Sequence, residues 1–243
     1  MIDEYAVITH SDPKSPISEA YRMLRTNIQY SSFDKPLKTF AITSSGPMEG
    51  KTTTAVNLAV TFANAGSRVL LVDADLRKPQ IHKMLVLSNR SGLTGYMALH
   101  DDLNNYVRSC DIGNLSVLTS GIIPPNPSEL LVSDSMKQFM THVKKEYDIV
   151  IFDTPPVGHV TDAAIISALV DGVILVINSG KVKIDDAKRA KEMLVNVNAN
   201  ILGVVLNNLH KGVKGNYQYY RYINEENKEK KKGKRRKEKE LLP

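Results

Sequence analysis

The segment Thr43–Thr54, which reads TSSGPMEGKTTT, constrains the fold of this chain more than any other stretch. It joins the apolar run Phe40–Ile42 to an apolar-periodic segment at Ala55–Ala63, and so predicts a strand, a glycine-containing loop and a helix that opens through Gly-Lys-Thr. In such a loop the backbone N–H groups point into one concavity and the helix presents its positive end, which holds a polyphosphate. The alternative is a glycine turn before a helix that begins with lysine.

The match to the pattern G-x-x-x-x-G-K-[ST] runs through Gly50, Lys51 and Thr52, with Ser45 where the first glycine would stand. In the role that this geometry assigns, Lys51 reaches the β- and γ-phosphates and the Thr52 hydroxyl binds Mg²⁺. The departure at Ser45 matters little if that residue keeps a backbone conformation that is not restricted to glycine.

Carboxylates follow two other strand-like runs. Arg68–Asp73 is an apolar strand that leads into Asp75 and Arg77, and Asp148–Asp153 is another that ends in a carboxylate. Open α/β sheets place their chemistry just past the carboxyl ends of strands. Turn formation is the alternative for a single Asp, but it accounts less well for two Asp with an Arg. From its place after the strand, Asp153 would reach Mg²⁺ through water.

Apolar strands alternate with helical segments along most of the chain, and further strands are predicted at 172–178 and 201–206. Continuous apolar strands of this kind belong to a mostly parallel sheet that is covered on both faces. The predicted fold class is therefore α/β, a doubly wound sheet with helices on both faces and its site at the strand carboxyl ends.

Composition excludes several other classes of protein. With 243 residues, 42% of them hydrophobic, the chain can bury a substantial core. The single Cys110 allows no internal disulfide and no cysteine metal cluster. No apolar run approaches the roughly 20 residues of a membrane span and no secretory signal pattern opens the sequence, so a cytoplasmic location is expected.

The basic charge is concentrated at one end of the chain. Between Asn224 and Glu240 there are nine Lys or Arg and five Glu, so this tail carries +4 of the net +6. A charged, low-complexity segment of this kind is predicted to be disordered. The remainder is nearly neutral, and we expect no nucleic-acid partner.

Two further segments leave alternatives open. In the helix predicted from Ser15 onward, Glu19, Arg22 and Arg25 lie opposite the apolar stripe, either as a solvated face with an ion pair or as a subunit contact. Near the end, GVKGNYQYYRY at 212–222 is either an aromatic strip for single-stranded nucleic acid or a set of phenol acceptors for a phosphoryl group. Its four clustered tyrosines are Tyr217, Tyr219, Tyr220 and Tyr222.

With three motifs in order, SSGPMEGKT, LLVDADLR and IVIFDTPP, the chain resembles the bacterial tyrosine kinases of the CpsD/CapB capsule and exopolysaccharide family. These kinases share the fold of MinD, a deviant phosphate-loop ATPase. The resemblance extends from about Ser15 to Tyr222 and includes SGIIPPNPSELL. It implies an ATP-dependent protein-tyrosine kinase that phosphorylates its own C-terminal tyrosines between subunits.

Roles carried over from the resemblance cover all three motifs. Lys51, Asp73 and Asp75 are the implied catalytic residues, with Asp73 as base or positioner for the tyrosine hydroxyl. Thr52, Asp75 and Asp153 are the implied Mg²⁺ ligands, Asn207 reads the adenine, and Glu19, Arg22 and Arg25 form the ring contact. The remaining ATP-binding residues are expected in the loop and the start of its helix, at Ser45, Gly46, Met48, Glu49, Gly50, Lys51, Thr52 and Thr53.

The resemblance also implies partners and a division of the chain. Activity would depend on a transmembrane adaptor of the polysaccharide co-polymerase type, which would hold the kinase at the inner face of the plasma membrane and direct it to protein tyrosine substrates. The chain divides into an irregular lead-in at 1–14, a kinase domain with its oligomerisation helix at 15–211, the acceptor tail at 212–223 and the charged tail at 224–243.

Two departures from the family pattern keep rival functions open. Met48 stands where the family usually has Gly, and the charged tail has no family role. The first rival is a MinD- or ParA-type ATPase switch, which the tyrosine cluster and the absence of a signature lysine at Gly46 disfavour. The second is a nucleotide-dependent scaffold without catalysis.

Overall fold

A computed structural model describes residues 7–31 and 36–209 of the chain. Within these ranges the strands are β1 (Thr39–Ser44), β2 (Val69–Asp73), β3 (Arg108–Ser109), β4 (Leu115–Leu118), β5 (Ile149–Asp153), β6 (Gly172–Asn178) and β7 (Ile201–Asn207). The α-helices of the same ranges are α1 (Ile8–Ser11), α2 (Pro16–Tyr30), α3 (Lys51–Asn64), α4 (Ile81–Met84), α5 (Leu93–Leu99), α6 (Pro127–Val132), α7 (Asp134–Glu146), α8 (Asp162–Ser167) and α9 (Ile184–Asn196).

The described strands form one sheet in the order β3-β4-β2-β5-β1-β6-β7. All neighbouring pairs are parallel except β3 with β4, which is antiparallel. The strands β1, β2, β5 and β6 are buried along their whole length, as their runs of Val, Ile and Leu require in a sheet covered on both sides. The predicted α/β fold class is confirmed.

Two apolar cores lie on the opposite faces of this sheet. One contains Val56, Leu58 and Phe62 of α3 with residues of α2 and α4. The other contains Phe139 of α7 and Ile166 of α8 with residues of α5, α6 and α9. Because the parallel strands run in one direction, their carboxyl ends lie at one edge of the sheet. The loops of the candidate site follow β1, β2, β5, β6 and β7 at this edge.

The irregular lead-in predicted for 1–14 is wrong in its described part, because Ile8–Ser11 forms α1. Thr9 is buried, and its backbone N–H and its hydroxyl both donate to Asn57 Oδ1 of α3, at 3.0 and 2.9 Å. A single turn is too short to stand alone or to show a hydrophobic period, so this contact with α3 decides the structure there. The described part of the lead-in belongs to the compact unit that ends at Asn207.

Candidate active site

The loop Ser45–Gly50, called the phosphate loop below, joins β1 to α3. Gly50 precedes the first residue of α3 and has φ of 92°, a conformation that favours glycine. A Cβ on Gly50 would lie 2.0 Å from Asn207 Nδ2, so packing also requires glycine here. The first N–H groups of α3 have no partner within the helix, and they open towards the loop as an anion site.

Met48 adopts φ of 61° in the same loop, where the family usually has glycine. This left-handed conformation strains a residue with a side chain by about 1 kcal/mol. The Met48 side chain is 92% exposed, so it takes no part in packing the loop. A glycine at this position would adopt the same backbone without that strain.

Three carboxylates surround the Lys51 ammonium at the carboxyl edge of the sheet. Lys51 Nζ lies 2.8 Å from Asp75 Oδ2 and 3.9 Å from Asp153 Oδ1. Asp73 and Asp153 end the neighbouring strands β2 and β5 and are paired in their register. The structure thus brings together the lysine and the three acids that sequence analysis selected from three separate motifs.

Burial and mutual repulsion perturb the acids of this cluster. Burial, then the Asp153 carboxylate, raises the pKa of Asp73 well above its ordinary value, although the Ile81 N–H opposes this. Burial raises the pKa of Asp153 to about 6, against the opposing effect of the Lys51 ammonium and the Thr52 hydroxyl. Burial alone would lower the pKa of Lys51, but Asp153 and Asp75 outweigh it and the net shift is upward. Perturbed groups gathered in this way are typical of catalytic sites.

Several oxygens in the cluster lack a close hydrogen-bond donor among the described residues. These are Asp73 Oδ1 and both carboxylate oxygens of Asp153. The Thr52 hydroxyl and the Lys51 ammonium lie near Asp153 and act on its charge, but neither makes a close hydrogen bond to it. The other oxygen of Asp73 is held by the backbone N–H groups of Gln80 and Ile81, at 3.1 and 3.0 Å. Buried oxygens without donors fit a site that a hydrated cation or a substrate hydroxyl completes.

The donor set suits Mg²⁺ bound together with a nucleotide. In the described part of the chain, no group of three or more His, Cys, Asp or Glu side chains is arranged to hold a metal ion alone. Mg²⁺ usually keeps several waters and binds through one or two carboxylates plus substrate phosphates. The buried Thr52 hydroxyl and the Asp153 carboxylate beside it fit that pattern.

Asp153→Asn is expected to change how stability depends on pH. The Asp153 pKa is raised when the chain folds, so the native state binds the extra proton and wild-type stability falls as pH rises from about 4 through 6. Relative to Asp153→Asn, the wild-type free energy of unfolding should fall by about 1 kcal/mol between pH 5 and pH 7.5. Urea denaturation of both chains at the two pH values measures this. A difference that does not change with pH would contradict the raised pKa.

The other residues predicted to bind ATP lie in the phosphate loop or next to it. Asn207 Nδ2 donates to the Glu49 carbonyl at 3.0 Å. Glu49 is buried, and its carboxylate accepts from the Ser45 hydroxyl and the Gly46 N–H. Thr53 lies in the first turn of α3, and its carbonyl accepts from Asn57 Nδ2. The Glu49 carboxylate therefore faces the underside of the loop.

One cluster at this edge received no role from sequence reasoning. Arg77 forms two parallel bonds to the buried Asp162, with Nε to Oδ2 at 2.9 Å and Nη2 to Oδ1 at 3.0 Å. The Ser128 hydroxyl also donates to Asp162 Oδ1, at 2.7 Å. The cluster ties the segment after β2 to the starts of α6 and α8. Arg77 in the second motif was the available signal, but its partner lies 85 positions away in sequence.

The predicted subunit-contact residues have partners within the chain. Arg22 pairs with Glu19 at 2.6 Å, on a partly exposed face of α2. Arg25 Nη1 donates to the Thr61 carbonyl of α3 at 2.9 Å. The Arg22–Glu19 contact matches the ion pair of the solvated-face alternative, whereas Arg25 packs against α3. The subunit contact remains a prediction. The tyrosine cluster at 217–222 and the charged tail at 224–243 lie outside the described residues.

None of the helices described is both long and apolar enough to cross a membrane.

Comparison with known proteins finds a matching family model and several similar proteins. A family model described as ParA, NUBPL iron-transfer P-loop NTPase, matches residues 38–241. The tyrosine-protein kinase YwqD of Bacillus subtilis is 46% identical over 214 residues, which cover 88% of this chain and 90% of that protein. The putative tyrosine-protein kinase CapB of Staphylococcus aureus is 37% identical, over 87% of this chain and 92% of that protein.

Solved structures agree with these relatives. The chimerical protein CapA2B2 superposes with a TM-score of 0.83 at 41% identity, covering 87% of this chain and 93% of that one. The kinase domain of the Escherichia coli tyrosine kinase ETK gives 0.82 at 34% identity, covering 85% and 81%. The septum-site protein MinD of Pyrococcus horikoshii, solved with Mg-ADP, gives 0.61 at 23% identity over 72% of each chain, a likeness of fold alone.

Proposed function

The chain belongs to the bacterial tyrosine-protein kinases built on a ParA-like P-loop NTPase fold, and from this premise we propose that it phosphorylates the tyrosines of its own C-terminal cluster between subunits. The fold implies nucleotide binding, and we propose that the nucleotide is ATP with Mg²⁺. The observation that carries the proposal is the placement of Lys51 among Asp73, Asp75 and Asp153 beside the phosphate loop.

The loop and the helix behind it would hold the polyphosphate. Free N–H groups at the start of α3 are oriented donors whose positions do not have to change when the nucleotide binds. Lys51, whose ammonium pairs with Asp75, would reach the β- and γ-phosphates. Asp75 would hold this ammonium beside the loop and support Mg²⁺. Asn207 would contact the adenine, as the resemblance implies.

Asp73 is the proposed base for the incoming tyrosine. Its Oδ2 is fixed by two backbone N–H groups, while its buried Oδ1 has no donor and so is available to accept the phenol proton. A tyrosine hydroxyl has a pKa of about 10 and is protonated at neutral pH, so transfer benefits from a positioned acceptor. The raised pKa of Asp73 brings it closer to the operating pH, which improves a general base.

Mg²⁺ would be held by the Thr52 hydroxyl and, through water, by Asp153, with Asp75 in support. Bound there, it neutralises phosphate charge during transfer. The protein keeps these oxygens buried and close to the Lys51 ammonium, which offsets part of the negative charge of the site.

The proposal includes an assembly and a location. A ring formed through Glu19, Arg22 and Arg25 would present the tail of one subunit to the site of the next. A transmembrane adaptor of the polysaccharide co-polymerase type would hold the ring at the inner face of the plasma membrane, where it would regulate capsule or exopolysaccharide synthesis. The relatives named as tyrosine kinases and the CapA2B2 chimera support this proposal.

Transfer between subunits can be tested with two chains, one of which lacks the catalytic lysine while the other lacks the acceptor tyrosines. One carries Lys51→Met with intact tyrosines, and the other keeps Lys51 but has Phe at its four clustered tyrosines, Tyr217, Tyr219, Tyr220 and Tyr222. Mixed with ATP and Mg²⁺, they should yield phosphotyrosine on the Lys51→Met chain, because the other chain supplies the site. Mass spectrometry distinguishes the two chains.

Each chain alone is the control and should give no phosphotyrosine in the cluster. A mixture that stays unphosphorylated, while the wild-type chain phosphorylates itself, would contradict transfer between subunits. ATP hydrolysis without any phosphotyrosine in the wild type would favour an ATPase switch, and ATP binding without turnover would favour a scaffold.

A further inference from the structure

We propose that Glu49 is a positioning residue that fixes the phosphate loop from beneath, together with Ser45 and Asn207, and that its carboxylate does not touch the nucleotide. The inference rests on the proposed nucleotide-binding role of this loop. Glu49 is only 4% exposed although it lies in a surface loop. We call Ser45, Glu49, Asn178 and Asn207 the loop brace.

Both carboxylate oxygens of Glu49 have partners. Oε1 accepts from the Ser45 hydroxyl at 2.5 Å and from the Gly46 N–H. Oε2 faces the Asn178 N–H at 3.4 Å, at the end of β6. Hydrogen bonds of this kind stabilise the carboxylate and offset part of the cost of burying it close to an anion site.

This arrangement divides the phosphate loop into two parts. The Gly46 N–H is taken by Glu49, and Pro47 has no N–H to offer. The donors left for phosphate therefore begin at Met48 and continue into the first turn of α3. The loop up to Pro47 therefore has a structural role, and the part from Met48 onward would bind phosphate.

Asn207 completes the brace from the end of β7. Its Nδ2 donates to the Glu49 carbonyl at 3.0 Å, and it lies against Gly50, where a Cβ would be 2.0 Å away. The loop leaves β1 and is tied to the ends of β6 and β7, the next two strands in the sheet. A loop held in this way before ligand arrives avoids part of the ordering cost of binding.

The brace also accounts for the departure from the phosphate-loop pattern at Ser45. A glycine there has no hydroxyl to donate, so the Glu49 carboxylate would lose its hydrogen bond from residue 45. Ser45→Gly, which restores the usual pattern, is therefore expected to weaken nucleotide binding rather than improve it. A Glu49 carboxylate that bound the nucleotide directly would not depend on the Ser45 hydroxyl.

A double-mutant cycle with a nucleotide-binding readout tests the inference. We expect Ser45→Gly and Glu49→Ala each to weaken binding of ADP with Mg²⁺ by about tenfold, since each removes a bond to a charged group. The double variant should bind ADP about as weakly as Glu49→Ala alone, because both substitutions remove the same hydrogen bond between Ser45 and Glu49. The KM for ATP should rise in parallel, while kcat at saturating ATP changes less, about threefold or under.

Thr9→Val is the matched control, because it removes a buried hydroxyl bond to the same helix α3 through Asn57, outside the loop. It should lower the thermal stability and leave ADP affinity unchanged. Wild-type ADP affinity in both loop variants would overturn the inference, as would additive effects in the double variant. If Glu49→Ala does not fold, Ser45→Gly alone tests the inference, and wild-type ADP affinity in that variant would overturn it. Failure of the wild-type chain to bind ADP would instead overturn the proposed function.

Discussion

Lys51→Met is expected to abolish tyrosine phosphorylation, with kcat/KM lowered by about a thousandfold or more. The ammonium is the positive side chain that the structure places among the carboxylates, 2.8 Å from Asp75 and 3.9 Å from Asp153. Without it, negative charge on the transferring group has no lysine to stabilise it, and the three acids repel phosphate. Quantitative phosphotyrosine mass spectrometry with ATP and Mg²⁺ measures the loss.

Lys145→Met is the matched control, since Lys145 is exposed on α7. This variant should phosphorylate at the wild-type rate. Circular dichroism should show that Lys51→Met is folded. A folded Lys51→Met chain with substantial phosphotyrosine would contradict the role given to the lysine.

Asp73→Asn is expected to separate phosphoryl transfer from nucleotide binding. The amide keeps the size of the side chain and can still accept from the Gln80 and Ile81 N–H groups through one oxygen, but it cannot take a proton from tyrosine. Transfer should slow by about 10²–10⁴-fold, the usual contribution of a general base. The KM for ATP should change little, because the role proposed for Asp73 is in the reaction of the acceptor tyrosine and not in nucleotide binding.

The pH profile gives a second readout of the same substitution. Because the pKa of Asp73 is raised, wild-type transfer should fall as pH is lowered through that pKa, and Asp73→Asn should lose the dependence that Asp73 causes. Asp111→Asn, at an exposed position, is the control and should match the wild type. A rate for Asp73→Asn near that of the wild type would assign the base elsewhere.

The site cluster was predictable because it depends on strand ends. Apolar runs indicated where β2 and β5 lie, and parallel strands bring their carboxyl ends to one edge, so Asp73 and Asp153 were expected at the same edge. The structure adds that the two strands are neighbours. The same argument placed Lys51 at the start of the helix after β1. The pairing of Lys51 with Asp75 rather than Asp153 depends on side-chain distances, which no sequence pattern contains.

Other features depend on contacts that sequence does not reveal. The fold of α1 depends on the bond between Thr9 and Asn57, 48 positions apart. Glu49 stands in a loop expected to bind anions, and nothing in its sequence position shows that its carboxylate turns beneath the loop. In such places long-range partners decide the structure, and local propensity carries little information.

The measurement that tests the central claim most directly is a phosphosite map of the purified wild-type chain, fused to the cytoplasmic segment of its adaptor and incubated with ATP and Mg²⁺. We expect phosphate on the cluster at Tyr217, Tyr219, Tyr220 and Tyr222, and none there in the Lys51→Met chain. ATP hydrolysis with no phosphotyrosine anywhere in the wild-type chain would contradict a tyrosine kinase that modifies its own tail.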